Sequence, residues 1–446
     1  MHNQMQGIAM LFQRLYLIFI AIRNKLFCVF PTESPSQSPS FTPSITPTAR
    51  PSFTPTARPS YTPTERPTIN HNLQSSSKIK IGVYYYPWHG PDFHGRKYLR
   101  EYLVPRQYPE LGEYDDREDE VLSQHIAWSQ QAHISVWICS WWGDDRRSDV
   151  IMREYMLPYF HSRSMSGNAN EIPSFAIHYE TRGRTDSFTD FSRVGPDIKY
   201  IATHYFNHTN YYKIDNRPVI VVYLTRVMSR DEDGNVIIDF ISTMRSAAFE
   251  AGYELYIIGD EVFGKAPKTL RSSLALFDAI TCYDTYGSMG IIENGYAGQE
   301  TVDNFFIEQK KWRQWAHLSN TSFIPAVTPG FNDKGVRNNH KALSRKLTKE
   351  AEYGTLFSAL VTQAKNLTDD ASEGLMFVTS FNEWHEDTQI EPVKFAEPTN
   401  EDISGNDQNF TEGLSYEGYG TLYLDILRNT VLMVNGENDT KSIFYP

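Results

Sequence analysis

A (β/α)8, or TIM, barrel is the fold class that residues 78–446 predict, and three observations predict it. Eight short β-rich runs recur along this part of the chain, stretches with helical periodicity lie between them, and the runs are apolar almost throughout. Near-continuous apolar strands belong to a parallel sheet covered on its outer side. Strands alternating with helices read as βαβ units, and eight of them can close into a ring. A doubly wound open sheet has the same texture, but no glycine-rich phosphate loop follows the first run.

The runs are KIKIGVYYYPW (78–88), HISVWICSWW (133–142), PSFAIHYE (173–180), RPVIVVYL (217–224), YELYIIGDE (253–261), FDAITCYD (277–284), SFIPAVTPG (322–330) and EGLMFVTSFNEW (373–384). Amphipathic stretches at 117–131, 147–161, 237–250, 301–317 and 341–365 are the candidate covering helices.

Two segments precede the barrel. Residues 1–30 hold an apolar core, Leu15 to Ile22, bracketed by Arg14 and Arg23. That core is short for a spanning helix, which takes roughly 20 apolar residues, and fits the heart of a signal peptide. If the two arginines snorkel, the wider stretch serves as a signal anchor. Entry into the secretory pathway is expected either way; no small-x-small cleavage site follows, and basic residues flank both ends. Residues 31–77 are a Pro/Ser/Thr-rich linker with a visible repeat, SFTPTARP (52–59) then SYTPTERP (60–67). Such composition cannot bury a core and behaves as a disordered spacer or stalk.

Composition narrows the function classes. The formal net charge is −12 and no long Lys/Arg run interrupts it, so nucleic acid is not an expected partner. The three cysteines, Cys28, Cys139 and Cys282, have neither a disulfide framework nor metal-ligand spacing. No metal and no cofactor is expected. Aromatic residues make up 14% of the chain, enough to pack a core and also to offer flat faces to sugar rings.

A barrel carries its active site at the C-terminal ends of its strands. Read in turn, those ends collect Tyr85, Tyr86 and Trp88; Trp141 and Trp142; His178 and Glu180; Asp260 and Glu261; Tyr283 and Asp284; and Glu383 with Glu386. The last pair lies in TSFNEWHEDTQIEP (379–392), beside Asn382, Trp384, His385 and Gln389. Two carboxyl groups across one bond are the usual equipment for glycoside hydrolysis. A solvated loop whose acids pair with nearby Arg or Lys accounts for the same residues taken alone.

These motifs resemble glycoside hydrolase family 99, the endo-α-1,2-mannosidases and related endo-α-mannanases. The likeness runs in order through YYYPWHG (84–90), YPELGEYDD (108–116), SWWG (140–143), HYE (178–180), TCYDTYG (281–287), IPAVTPGFND with Arg337, and FNEWHEDTQIEP (381–392). The resemblance implies an endo-acting, configuration-retaining enzyme on an α-mannoside oligosaccharide or N-glycan. By motif position, Glu386 is the general acid/base, and Glu383 the base that takes the proton of the sugar's 2-hydroxyl to give a 1,2-anhydro intermediate. It also implies substrate contacts at Tyr86, Trp88, Trp142, His178, Glu180, Tyr283, Trp384 and His385. Trp142 stands where bacterial mannan-cleaving members carry Trp and animal N-glycan enzymes carry Tyr, which favours mannose-capped chains. Asp387 replaces a residue that is usually Gly in the motif; a left-handed backbone there suits Asp better than most residues.

Other constellations are weaker. His385 and Glu386 start like a zinc-protease helix, but Gln389 occupies the second histidine's place. Asp231, Glu232, Asp233 and Gly234 read as a surface turn, since the remainder of a calcium loop is absent. Glycosylation sequons at Asn207, Asn320, Asn366, Asn409 and Asn438 agree with a secretory route. The expectation is a monomeric enzyme in the Golgi lumen, anchored through its N-terminal segment, or secreted. A carbohydrate-binding protein without turnover and a transglycosylase are the rival classes on the same barrel.

Overall fold

In the computed structural model the described residues are 78–435, apart from 169–170, 186–187, 189, 230–234, 291 and 405–408. The proposed targeting segment and linker, the 231–234 turn and Asn438 lie outside the described residues.

The apolar runs, with one short addition at β4, fold as strands β1 (Lys80–Tyr85), β2 (Ile134–Trp141), β3 (Ser174–Tyr179), β4 (Lys213–Ile214), β5 (Arg217–Val222), β6 (Tyr256–Asp260), β7 (Ala279–Thr281), β8 (Ser322–Phe323), β9 (Ala326–Val327) and β10 (Leu375–Val378). Nine of them form one path in the order β8-β7-β6-β5-β3-β2-β1-β10-β9, all pairings parallel. The two end strands are consecutive pieces of one segment, interrupted at Pro325, which has no N–H to give to a ladder. On one side Ile324 N–H donates to Ile280 O (2.9 Å); on the other Phe377 N–H donates to Pro325 O (2.9 Å). The sheet is therefore curled so that its ends meet on residues 322–327. The expected seventh strand is present as two short ones.

Strand β4 was not anticipated. It pairs antiparallel with β5 through Asp215 and Asn216, both at positive φ (51° and 61°), the backbone that two-residue hairpins demand and that Asp and Asn tolerate. A second ribbon, β11 (Val393–Thr399) with β12 (Tyr416–Gly420), stands antiparallel outside the main sheet. It also escaped the sequence reading, because residues 393–399 are mostly exposed and carry no buried apolar run.

Covering helices occupy Asp119–Gln131, Val194–His204, Asn235–Glu250, Gly298–Leu318 and Leu422–Asn435. The stretch 147–163 is helical with a π-type turn at Met152–Met156. The helix expected over 341–365 is confined to Thr355–Ala364. Among the described residues no helix is long and apolar enough to cross a membrane.

Both faces of the strands are buried, and alternation sorts their side chains. Tyr84 meets His178 and Tyr283 (ring centroids 4.8 Å to each) and Phe377 (5.7 Å), so it faces the interior of the ring. Tyr85 stacks on Trp137 (4.3 Å, 3°) and bonds through its hydroxyl to His125 on the helix outside. With a period of two, Gly82 shares the face of Tyr84, and a Cβ there would come within 2.8 Å of the Phe377 ring. Glycine makes room for that ring inside the barrel. Each fully buried Val, Ile or Phe contributes about 1.5–3 kcal/mol, and β5 and β10 bury every such side chain.

Candidate active site

The acid loop leaves β10 and returns on itself at once. Ser380 N–H donates to Thr388 O (2.8 Å), and Ile390 N–H to Ser380 O (2.9 Å). Phe381 N–H reaches Tyr84 O across the rim (2.8 Å). The Asn382 amide ties the loop to the end of β1: Tyr86 N–H donates to its Oδ1 (2.8 Å), and its Nδ2 donates to Tyr86 O (3.1 Å). Glu383 then caps a single helical turn, Trp384–Glu386, its Oε1 accepting from the His385 backbone N–H (3.0 Å). This is the ordinary use of a carboxylate at a helix start. The turn ends at Asp387 in the left-handed region (φ 46°, ψ 36°), as its residue type allows.

The turn sets the two candidate acids in unlike surroundings. Glu383 is nearly buried, and Oε1 also accepts from His385 Nδ1 (3.1 Å). Burial opposes charge on the His385 ring, but its bond to the Glu383 carboxylate prevails, and the ring titrates above its ordinary value. Glu386 keeps 20% of its side-chain surface. Its Oε1 accepts from Arg337 Nη1 (2.9 Å). Burial raises its pKa, Arg337 pulls it down, and the charges of Glu383 and Asp333 raise it again, leaving it pushed up to about 7. The acid three residues downstream thus holds its proton near neutrality beside an acid bonded by two N–H donors. A carboxyl that keeps its proton near neutrality is what a general acid requires.

Around them the strand ends supply aromatic surface. The hydroxyls of Tyr86 and Tyr283 are hydrogen-bonded to each other. Burial, first of all, pushes both well above the ordinary tyrosine value, with Glu383 and Glu386 adding to the rise, so both remain protonated donors. His178 stacks on Tyr283 (5.5 Å, 25°), and its Nδ1 lies 3.3 Å from Glu180 Oε1. Ser140 Oγ donates to Glu180 Oε1 (2.7 Å) and accepts from Trp142 Nε1 (3.0 Å), which fixes the half-buried Trp142 indole at this end of the ring. Trp88 stands between Tyr86 (4.6 Å) and His385 (5.8 Å).

Of the residues expected at the site, the fold brings Tyr86, Trp88, Trp142, His178, Glu180, Tyr283, Glu383, His385 and Glu386 to one end of the ring. Trp384 stands apart. It is 1% exposed, its Nε1 donates to Glu391 Oε2 (2.7 Å), and it packs on Phe93 and Tyr98. With its indole N–H taken by Glu391 and its ring packed on Phe93 and Tyr98, it anchors the loop. Other strand-end residues also turn away or are engaged elsewhere. Trp141 donates to Asp149 (2.8 Å) and Tyr85 faces Trp137, each one residue out of phase with an inward neighbour. Asp260 shares the inward face of His178 by register but is taken up by Arg226 and the Leu224 and Tyr283 amides, and Glu261 holds Ser229. Sequence reasoning missed Tyr223, whose ring lies 5.1 Å from Tyr283, and it missed Asp333 as a partner of Arg337. A tyrosine just beyond a buried strand was the only available signal for the first. Among the described residues no group of three His, Cys, Asp or Glu side chains is placed to hold a metal ion.

Comparison with known proteins identifies the family. The chain is 26% identical over 346 residues to a mouse (Mus musculus) protein named glycoprotein endo-alpha-1,2-mannosidase, covering 70% of this chain and 67% of that one. It is 26% identical over 298 residues to a human (Homo sapiens) glycoprotein endo-alpha-1,2-mannosidase-like protein, covering 64% and 56%. The solved structure of a family 99 endo-alpha-mannosidase from Bacteroides thetaiotaomicron superposes with a TM-score of 0.52 at 21% identity, over 81% of this chain and 98% of that one, and shares the fold. Residues 78–402 match the sequence profile of glycosyl hydrolase family 99, and the chain belongs to that family of glycoside hydrolases.

Proposed function

We propose that this enzyme is an endo-acting, retaining glycosidase that cleaves internal α-1,2-mannosidic bonds in N-glycans or α-mannan. The observation that carries the reading is the contrast within one helical turn: Glu386 with its proton held to about pH 7, and Glu383 bonded by two N–H donors. In the proposed reaction Glu383 takes the proton of the substrate 2-hydroxyl as that oxygen attacks C1, while Glu386 protonates the departing glycosidic oxygen. Water then opens the 1,2-anhydro sugar, with Glu386 as base and Glu383 returning its proton to O2. This differs from direct carboxylate attack, the commoner retaining scheme. The Tyr86–Tyr283 hydroxyl pair, His178, Glu180, Trp88 and His385 are the proposed contacts to the sugar being cleaved. Trp142 is proposed to wall the pocket of the next sugar and to favour mannose-capped chains. The proposed setting is the secretory pathway, with residues 1–30 as anchor or cleaved signal, a linker over 31–77 and a monomeric catalytic domain from residue 78.

The test is product analysis with α-1,2-linked mannose-capped and glucose-capped oligosaccharides side by side. A released disaccharide of retained configuration, with oxygen-18 from labelled water at its reducing end, is expected, and faster from the mannose-capped chain. Ligand binding without cleavage of either substrate by the wild-type protein would overturn the reading.

A further inference from the structure

Residues 331–343 form a loop pinned at its base and facing the acid turn. Phe331 N–H donates to Leu343 O (3.0 Å) and Leu343 N–H to Phe331 O (2.7 Å). Asn332 N–H donates to Glu386 O (2.8 Å), which fastens this loop to the acid's own backbone. Inside it Asp333 is 1% exposed, and its Oδ2 accepts from Arg337 Nη1 (3.0 Å) and His340 Nδ1 (2.6 Å). The same Arg337 nitrogen donates to Glu386 Oε1 (2.9 Å). One cation therefore stands between two carboxylates, and only one of the two belongs to the proposed proton transfer.

We propose that Arg337 is an alternating counterion: of the two carboxylates it bridges, it serves both Glu386 and Asp333 while Glu386 is ionised, and Asp333 while Glu386 is protonated. This makes Asp333 and Arg337 positioning residues for the acid, and the proposal rests on the function proposed above. As the glycosidic bond breaks, the Glu386 proton passes to the leaving oxygen and a carboxylate remains. Arg337 is already in place to receive it. When water attacks C1, its proton returns to Glu386 and Arg337 falls back on Asp333. A fixed cation without Asp333 would bias Glu386 toward the carboxylate, and Asp333 without the cation would bias it toward the acid. A guanidinium suits the place, since it stays charged at every working pH and has several donors in one plane.

The charged and titratable groups around Glu386 come from several elements. Its own loop contributes Glu383 and His385, and the 331–343 loop contributes Arg337, Asp333 and His340. Tyr86, Tyr223 and Tyr283 face it from the ends of β1, β5 and β7. Burial keeps the three hydroxyls protonated, so they add no charge near neutrality.

Two substitutions on the same loop then act with opposite sign. Arg337→Gln removes the group that favours the carboxylate, so the alkaline limb of kcat/KM, where the acid loses its proton, moves up by about one pH unit or more. Asp333→Asn removes the carboxylate that competes for Arg337 and moves that limb down by about one pH unit, and Arg337→Lys leaves it near its wild-type position. The Glu386 carboxyl is also titrated directly, by infrared difference between each protein and its Glu386→Gln counterpart, which requires no turnover. Opposite shifts in the infrared titration support the proposal even if the substrate is a different glycoside. An upward shift, or none, in folded Asp333→Asn overturns it whether or not Arg337→Gln folds, and so does a shift of about one pH unit or more in folded Arg337→Lys.

Discussion

Glu386 and Asp387 are adjacent carboxylates, each bonded to arginine, yet they differ in what the protein does with their protons. Asp387 is 2% exposed and lies between two arginines that are themselves 1% exposed: Arg100 Nε reaches its Oδ1 (2.7 Å) and Arg345 Nε its Oδ2 (3.2 Å). Gln389 Nε2 adds a third donor (3.1 Å). Burial alone would raise its pKa; the two guanidinium groups more than cancel this and hold it below the usual carboxylate range. Glu386 meets a single arginine, shared with Asp333 and opposed by Glu383, and burial wins. Near burial gives either outcome, and the count of dedicated cations decides between them. In the proposed reaction one residue hands over a proton, and the next locks the loop that carries it. The extra acid that replaces the family's usual Gly therefore points into the Arg100–Arg345 clamp, away from the proton-transfer pair.

The sharpest way to break this comparison is to neutralise each member in turn. Glu386→Gln is expected to lower kcat by about 10²–10⁴-fold, the ordinary contribution of a general acid, with no loss in the urea unfolding midpoint at pH 7. Product chromatography and urea titration of the same sample check both halves, and a large drop in stability would make Glu386 structural. Asp387→Ala should do the reverse of this in unfolding experiments. It strands two buried arginines, and removing one partner of a buried ion pair costs about 3–5 kcal/mol. A midpoint close to wild type would show that Arg100 and Arg345 are satisfied by Gln107, Tyr353 and backbone carbonyls.

A smaller effect is expected at Trp384. Trp384→Phe leaves Glu391 with the Tyr114 hydroxyl (2.9 Å) but without its indole donor. Loss of about 1–3 kcal/mol of stability is expected for the unsatisfied group, with KM unchanged at a pH where the protein stays folded. A KM increase of tenfold or more would restore Trp384 to the sugar site.

The pH dependence of stability separates the neighbours most finely. Glu386 binds its proton more tightly folded than unfolded, with a pKa raised from 4.5 to about 7. Its contribution is complete below pH 4.5 and declines as pH rises to about 7, and Glu386→Gln should remove that decline. Asp387 has a depressed folded pKa, so its contribution is complete above about pH 3.9 and is lost as pH falls further. Asp387→Asn should remove that acid-side loss. Urea midpoints measured across pH 3 to 8 resolve the two slopes, and slopes of equal sign would refute the contrast.

Much of the fold was legible because both faces of the main-sheet strands are buried, which turns all of β1 to β10 except β4 into short apolar runs separated by helical periods. The places where that reading slipped have local causes. Pro325 divides one run into two strands, and the β11–β12 ribbon lacks an apolar run because one of its faces meets solvent. The acid pair was legible as well, since Glu383 and Glu386 lie in one turn. Inward and outward residues at the rim were not separable by sequence alone: Trp141 and Trp142, or Tyr85 and Tyr86, differ by one step of a period-two pattern whose phase is set by what the strand packs against. Asp333 and Arg337 stood in one of the family-like motifs, but their pairing with each other and with Glu386 was beyond reach for another reason. They are some 50 residues from Glu386 and meet it only through the pinned loop at 331–343.

What the chain determined by itself is therefore the parallel barrel-like sheet, the turn that carries two carboxylates, and the aromatic rim, because burial and local geometry are written in short stretches of sequence. Tertiary structure alone decided which carboxylate keeps a proton and which is locked, because a pKa depends on charges that arrive from distant loops and on how much water they leave behind.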